Sequence, residues 1–276
     1  MKKIALITGA SSGIGNEVAL KLIDEGYTVY GAARRTELMN DIVEKGGTAL
    51  YLNLFDEKSI EECVNTIISK ENKIDLLINN AGYGLGGGIE DISIEDAKKQ
   101  FEVNVFGMIK IIQLVLPSMR KQKSGMIINV ASMAGRFSSP FTGWYHASKY
   151  SVEALSDALR LEVEPFGIKV VIVEPGLIKT DWGIIHSKNI RSFSGNGAYA
   201  ENAGIVADYF EQSYIKSKTI SKPTVISDLI IKIAKKKHPK PRYTKGKNAK
   251  IFLLIKKIVP DTIFDKLLKI AFYLKK

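Results

Sequence analysis

Ile4-Ala5-Leu6-Ile7-Thr8-Gly9-Ala10-Ser11-Ser12-Gly13-Ile14-Gly15 is the stretch on which the fold turns. Four aliphatic residues in a row, with no polar alternation, describe a strand covered on both faces. Glycines at 9, 13 and 15 follow, and then a helical pattern begins. The unit repeats along the chain. Short aliphatic runs at 28–32, 49–52, 76–78, 126–130 and 170–173 alternate with amphipathic stretches near 13–25, 36–45, 56–71, 94–121 and 146–165. Strands alternating with helices require crossover connections. The expected fold is therefore α/β, a single doubly wound parallel sheet with helices on both faces. In such sheets ligands sit beyond the carboxyl ends of the strands.

The residues at those ends carry the chemistry. In the first turn, Gly9 permits a tight bend, Gly13 lets the backbone approach a pyrophosphate and Gly15 allows close helix–strand packing. The helix N-terminus offers free N–H groups to phosphate, so Gly9, Ser11, Ser12, Gly13, Ile14 and Gly15 form a candidate dinucleotide loop. The second strand ends Ala33-Arg34-Arg35, where an NAD site would place an acid. Two arginines suit a 2′-phosphate, which implies NADP(H), with Arg34 the stronger contact.

Asn79-Asn80-Ala81-Gly82 follows the fourth strand, Asn104 lies in a helical stretch and Ser132 follows the fifth strand. Tyr145 and Lys149 stand at i and i+4, on one helix face. A neighbouring ammonium favours the phenolate, so Tyr145 is expected to carry a proton near neutrality, with Ser132 holding the substrate oxygen. Singly each signal is weak, since Ser132 could be only a helix cap and Tyr-x-x-x-Lys is common.

Together, the TGASSGIG run at 8–15, NNAG at 79–82, Asn104, Ser132, YHASK at 145–149, and Pro175-Gly176 with Thr180 resemble the short-chain dehydrogenases/reductases. The resemblance spans residues 1 to about 182. It extends to steroid- and retinol-dehydrogenase-like members in the C-terminal extension. It implies a Rossmann-type sheet, catalytic roles for Asn104, Ser132, Tyr145 and Lys149, and direct hydride transfer without a metal. By the same resemblance Asn104 holds a water linked to Lys149, while Tyr145 and Lys149 also meet the cofactor. Asn80, Ala81 and Gly82 line its adenosine side, and Thr180 meets the carboxamide. Pro175, Gly176 and Ile178 complete that end, with Asn53 and Leu54 near the adenine. Asn53 departs from the aspartate of many relatives, but its amide oxygen still accepts. Ser12 stands where some NADP-dependent relatives have a basic residue, leaving the 2′-phosphate to Arg34 and Arg35.

Met133, Phe137, Phe141, Trp144, Leu177, Trp182 and Phe193 are candidates for an apolar substrate pocket. No arginine clamp for an anionic substrate stands out beside Ser132 or Tyr145, although Arg136 is close enough in sequence to keep one open. The pattern loosens over 181–222, a candidate mobile lid, and 235–247 reads as a breaker-rich joint. The catalytic domain is expected over 1–247 and a basic, helical extension over 248–276.

The formal net charge of +11 is uneven: residues 232–276 hold 15 Lys and Arg against two acids, leaving the remainder nearly neutral. Ile251, Leu254, Ile255, Ile258 and Val259, then Ile263, Leu267, Ile270 and Leu274 beyond Pro260, recur at helical spacing. They either pack on the domain or a partner subunit, the preferred reading, or form a membrane-surface helix pair. No nucleic-acid motif interleaves the basic residues. One cysteine and three scattered histidines offer neither an intrachain disulfide nor a metal cluster. The apolar run after Lys2-Lys3 breaks at Thr8-Gly9, too short for a signal-peptide core. The expectation is a cytoplasmic oxidoreductase acting on a small carbonyl or alcohol, paired through its long helices into a homodimer or homotetramer. The alternative is an NADP(H)-sensing regulator without turnover.

Overall fold

The computed structural model describes residues 2–215 and 220–273. It contains a seven-stranded parallel sheet ordered β3-β2-β1-β4-β5-β6-β7. In chain order the elements begin β1 (Ile4–Thr8), α1 (Gly13–Asp24), β2 (Thr28–Ala33), α2 (Asn40–Glu44), β3 (Thr48–Tyr51) and α3 (Glu57–Glu71). Next come β4 (Leu76–Asn79), α4 (Ile94–Phe101), α5 (Gly107–Gln122), β5 (Gly125–Val130), α6 (Gly143–Val163) and β6 (Ile168–Pro175). The chain continues through α7 (Trp182–Ser194), α8 (Ala200–Ile215), α9 (Thr224–Ala234), β7 (Arg242–Lys245), α10 (Ala249–Ile258) and α11 (Asp261–Tyr273).

The central strands are apolar throughout because both faces are covered. Leu6, Leu77 and Ile127 pack with α3, α5 and α6 through Ile67, Val115 and Val152. Their neighbours Ile7, Ile78 and Ile128 point the other way, onto α1 and α9 through Leu22 and Ile230. This is the period of two expected of strands, read from both sides. Strand order reverses between β1 and β4, so the crevice at their carboxyl ends lies where a ligand is expected. The stretch Ile94–Gln122 is long and apolar enough to cross a membrane by length and composition. It is nonetheless a core helix here, with Ile111, Ile112, Val115 and Met119 buried.

Three elements depart from the sequence reading. The joint at 235–247 contains β7, a strand of Arg, Tyr, Thr and Lys paired in register with β6 from Ile172↔Arg242 to Pro175↔Lys245. Its side chains are polar because ion pairs, rather than apolar burial, hold this edge. Helix α9 was not anticipated. Nor was α7: the Ser/Gly/Asn run at 192–197 ends a helix there instead of preventing one. The candidate lid is thus two packed helices. Ile190, Val206 and Phe210 from it share one cluster with Phe264, Leu268 and Phe272 of α11. In the tail, Phe264, Leu268 and Phe272 are buried, whereas the expected Ile263, Leu267 and Ile270 are exposed. Leu274 lies outside the described residues.

Candidate active site

The β1–α1 turn forms a cradle made by its glycines. Gly9 and Gly13 have φ of 68° and 57°, a region that side chains with a Cβ avoid. At Gly15 a Cβ would stand 2.3 Å from the Gly9 carbonyl oxygen, so only glycine lets α1 start this close. Ser12 precedes α1 in extended conformation and makes no side-chain cap, and the first turn holds no acid. The first-turn N–H groups and the positive helix end are left for an anion. Asn80 braces the turn from β4: its Nδ2 donates to Thr8 O at 3.1 Å, and Asn80 and Ala81 N–H groups donate to Thr8 Oγ1 at 3.1 and 3.0 Å.

A groove of about 770 Å³ runs from this cradle past the end of β2. Gly9, Ser11, Ser12, Gly13, Ile14, Arg34, Arg35, Asn53, Leu54, Asn80, Ala81, Gly82 and Thr180 of the sequence-predicted contacts line it. Gly15 lies behind it. Arg34 and Arg35 are exposed, and neither has an ion pair among the described residues. The Asn53 amide oxygen already accepts from the Phe55 N–H at 3.2 Å, so it serves the loop as well as facing the groove.

A second cavity, about 230 Å³, adjoins the groove and shares Ile14, Asn80, Gly82, Thr180 and Trp182 with it. Ser132, Tyr145 and Lys149 line this cavity, together with Pro175, Gly176 and Ile178. Ser132 accepts from the Ala134 N–H at 3.1 Å, and its hydroxyl stands near enough to the Tyr145 phenol to draw that phenol's pKa down. It is therefore both a cap and a polar contact in the site. Lys149 Nζ donates to Val130 O at 3.0 Å and lies 5.9 Å from the centre of the Tyr145 ring. Gly82 keeps this corner open, since a Cβ there would meet Asn104 Oδ1 at 3.1 Å and Lys149 Nζ at 3.7 Å. Asn104 sits on a π-helical turn, Glu102–Phe106, between α4 and α5. Its side chain accepts from the Tyr83 N–H and donates to Tyr83 O and Ser148 Oγ. Both amide hydrogens are spent there.

The electrostatics differ from the sequence expectation. Burial pushes the Tyr145 phenol up to about 12, with the Ser132 hydrogen bond opposing it only in part. Burial also pulls Lys149 down to about 8, against the charge of Glu153 one turn along α6. The cation expected to activate the phenol is itself discouraged by the same dry environment. Glu153 is pushed up to about 7 by burial and by the charge of Glu174, against Arg242 and Arg136. This arrangement sets a pH prediction. As pH rises through about 8, Lys149 loses its proton, and kcat/KM is expected to fall. Glu153→Gln removes the anion that supports the ammonium, so the fall should move to lower pH. An unmoved limb in a pH–rate profile would separate Lys149 from Glu153.

Of the expected pocket aromatics, Phe137 and Trp182 line the cavity with Met133 and Leu177. Trp144 and Phe193 instead pack on Leu85, Ile92 and Ala97, and Phe141 meets Tyr199 with ring centres 6.0 Å apart. Arg136 is no anion clamp, because it pairs with buried Glu174 at 3.2 Å. Sequence reasoning missed His146, Phe210, Tyr214, Phe252 and Phe272, all in the cavity wall. The i, i+4, i+8 spacing of Phe264, Leu268 and Phe272 was the one available signal. His146 is held neutral by burial, its pKa near 4, donating from Nδ1 to Ala134 O at 2.7 Å.

Comparison with known proteins bears on the family and the fold. The short chain dehydrogenase family model matches residues 3–189. A Helicobacter pylori protein named as a "probable short-chain type dehydrogenase/reductase" is 35% identical, covering 97% of each chain. A 3-ketodihydrosphingosine reductase of Bacteroides thetaiotaomicron is 36% identical, covering 99% of each. The crystal structure of a short-chain dehydrogenase from Streptomyces avermitilis superposes with a TM-score of 0.82 at 30% identity, covering 98% of this chain and 97% of that one. With the family model matching more than half of the chain and relatives matching along nearly their whole length, the family is shown: the protein is an oxidoreductase of the short-chain dehydrogenase/reductase family.

Proposed function

We propose that the protein is an NADP(H)-dependent reductase of a carbonyl group on an apolar small molecule, running in reverse as an alcohol dehydrogenase. The observation that carries this reading is the position of Tyr145, Ser132 and Lys149 in the cavity that adjoins the dinucleotide groove. The bound nicotinamide supplies or accepts the hydride. The protein's part is the proton and the fit. Ser132 and Tyr145 converge on one oxygen position, and Tyr145 delivers its hydroxyl proton to that oxygen during reduction. A phenol held near 12 stays protonated across the physiological range, which suits a donor. Lys149, fixed on Val130 O, supplies positive charge beside the ring when protonated. Phe137, Leu177, Trp182 and Phe210 exclude water and favour an apolar substrate body. The Bacteroides relative, named for reducing a ketone, agrees in reaction type.

The cofactor choice rests on Arg34 and Arg35, which line the groove end and have no ion pair among the described residues, where an NAD site would place an acid for the ribose hydroxyls. Hydrogen bonds to a charged group are worth about 1.5–3 kcal/mol, so Arg34→Ala should weaken NADPH by about 10- to 100-fold and leave NADH nearly unchanged. Titration of the two dinucleotides by fluorescence checks this, and equal losses would remove the 2′-phosphate role. A panel of ketones and aldehydes with NADPH oxidation followed at fixed pH tests the activity. Tight NADPH binding with no turnover across the panel would instead favour a sensor.

A further inference from the structure

Helix α11 has an apolar sector wider than the protein covers. Phe264, Leu268 and Phe272 fill the inner part, packed on α8 and on Phe252 of α10. Beside them Ile263, Leu267 and Ile270, spaced i, i+4, i+7, form a second stripe that is exposed. Helix α10 repeats the arrangement. Phe252 faces inward, with rings 4.5 Å from Phe137, while Ile251, Leu254 and Ile258 stand outward at i, i+3, i+7. These six aliphatic side chains are 42–69% exposed. Single exposed hydrophobics are ordinary on any surface. Six on two successive helices, each stripe in helical register, mark a contact surface.

The charge beside the stripes selects the occupant. Lys250 and Lys257 flank the outward stripe of α10, and α11 carries Lys266 and Lys269. All four are exposed and without an ion pair among the described residues, while Lys256 is spent on Asp261. A second copy docking through the same patch would bring lysines against lysines. An anionic bilayer satisfies both features at once, since the aliphatic stripe enters the acyl boundary while the lysines meet the headgroups. The inner faces of these helices supply Phe252, Ala271 and Phe272 to the cavity that holds Tyr145.

We propose that α10 and α11 form a docking surface for an anionic lipid bilayer, seating the wall of the catalytic cavity on the membrane. The experiment reads binding rather than turnover, so it stands or fails apart from the proposed reaction. The full chain with NADPH present is sedimented with vesicles of phosphatidylcholine alone, and with vesicles of phosphatidylcholine and phosphatidylglycerol in equal parts. Binding should be at least about tenfold stronger to the anionic vesicles. Leu254→Glu with Leu267→Glu, and separately Lys250→Glu with Lys257→Glu, should each weaken it by about tenfold or more. All of these positions are exposed, so thermal melting should stay within about 2 °C of the parent, as surface changes usually do. Absence of binding to anionic vesicles, equal binding to both compositions, or variants that bind like the parent would overturn the proposal. So would light scattering that shows a dimer dissolved by Leu254→Glu and Leu267→Glu in a protein that ignores vesicles, since the occupant would then be a second copy.

Discussion

Tyr145→Phe should retain dinucleotide binding and lower turnover by about 10²- to 10⁴-fold, the usual worth of a positioned proton donor. The substitution removes one oxygen and keeps the ring, which packs with Trp182 at 5.0 Å between centres. Ser132 keeps the Ala134 N–H when the phenol oxygen is lost. The fold therefore loses little, and melting temperature should move by only a few degrees. Stopped-flow measurement of a single turnover separates the chemical step from release. A variant that still transfers hydride at the parental rate would mean that the proton comes from elsewhere, and the roles assigned around Tyr145 would have to be withdrawn.

Arg242→Met should be among the most destabilising single changes in the molecule. Arg242 reaches Glu153 at 2.9 Å, Asp157 at 2.7 Å and Glu174 at 3.4 Å, and both glutamates are buried. Without its guanidinium, two buried carboxylates face each other, with Arg136 the one arginine still paired to them among the described residues. Removing one partner of such a pair costs about 3 kcal/mol or more, or roughly 10 °C in melting temperature for a chain of this size. The loss should shrink on acidification. Glu153 has a folded-state pKa of about 7, above its ordinary value, so the folded protein takes up a proton as pH falls through 7 and the repulsion disappears. Melting curves of variant and parent at pH 8 and pH 5 decide the matter. A gap that does not narrow at the lower pH would assign the cost to lost packing.

What the sequence disclosed and what it hid divide along physical lines. Strands buried on both faces announce themselves, because every residue in Ile4–Thr8 or Gly125–Val130 must suit an apolar layer. The glycine cradle was equally legible, since a Cβ at Gly9 would meet the Ala81 backbone at 2.9 Å and one at Gly15 the Gly9 carbonyl oxygen at 2.3 Å. Strand β7 was hidden because its stability comes from Arg242 and from carboxylates 68 to 89 positions away, which no local window contains. The tail misled for a related reason. Two apolar stripes lie side by side on α11, and helical spacing alone does not say which one turns inward. The phenol was misjudged because sequence gives the Tyr145–Lys149 spacing but not the dryness around it, and the dryness dominates.

The two ligand spaces share the first two-thirds of the chain, but only the cavity also draws on the last third. Every residue lining the groove falls between Gly9 and Ile185, inside the region matched to the family. The far wall of the cavity comes from Tyr209, Phe210, Tyr214, Asn248, Phe252, Ala271 and Phe272, all beyond it. The groove is accordingly independent of the stretch that closes the far wall of the cavity. Exchange of the last third between relatives would then retune which molecules are admitted and leave the nucleotide grip as it was.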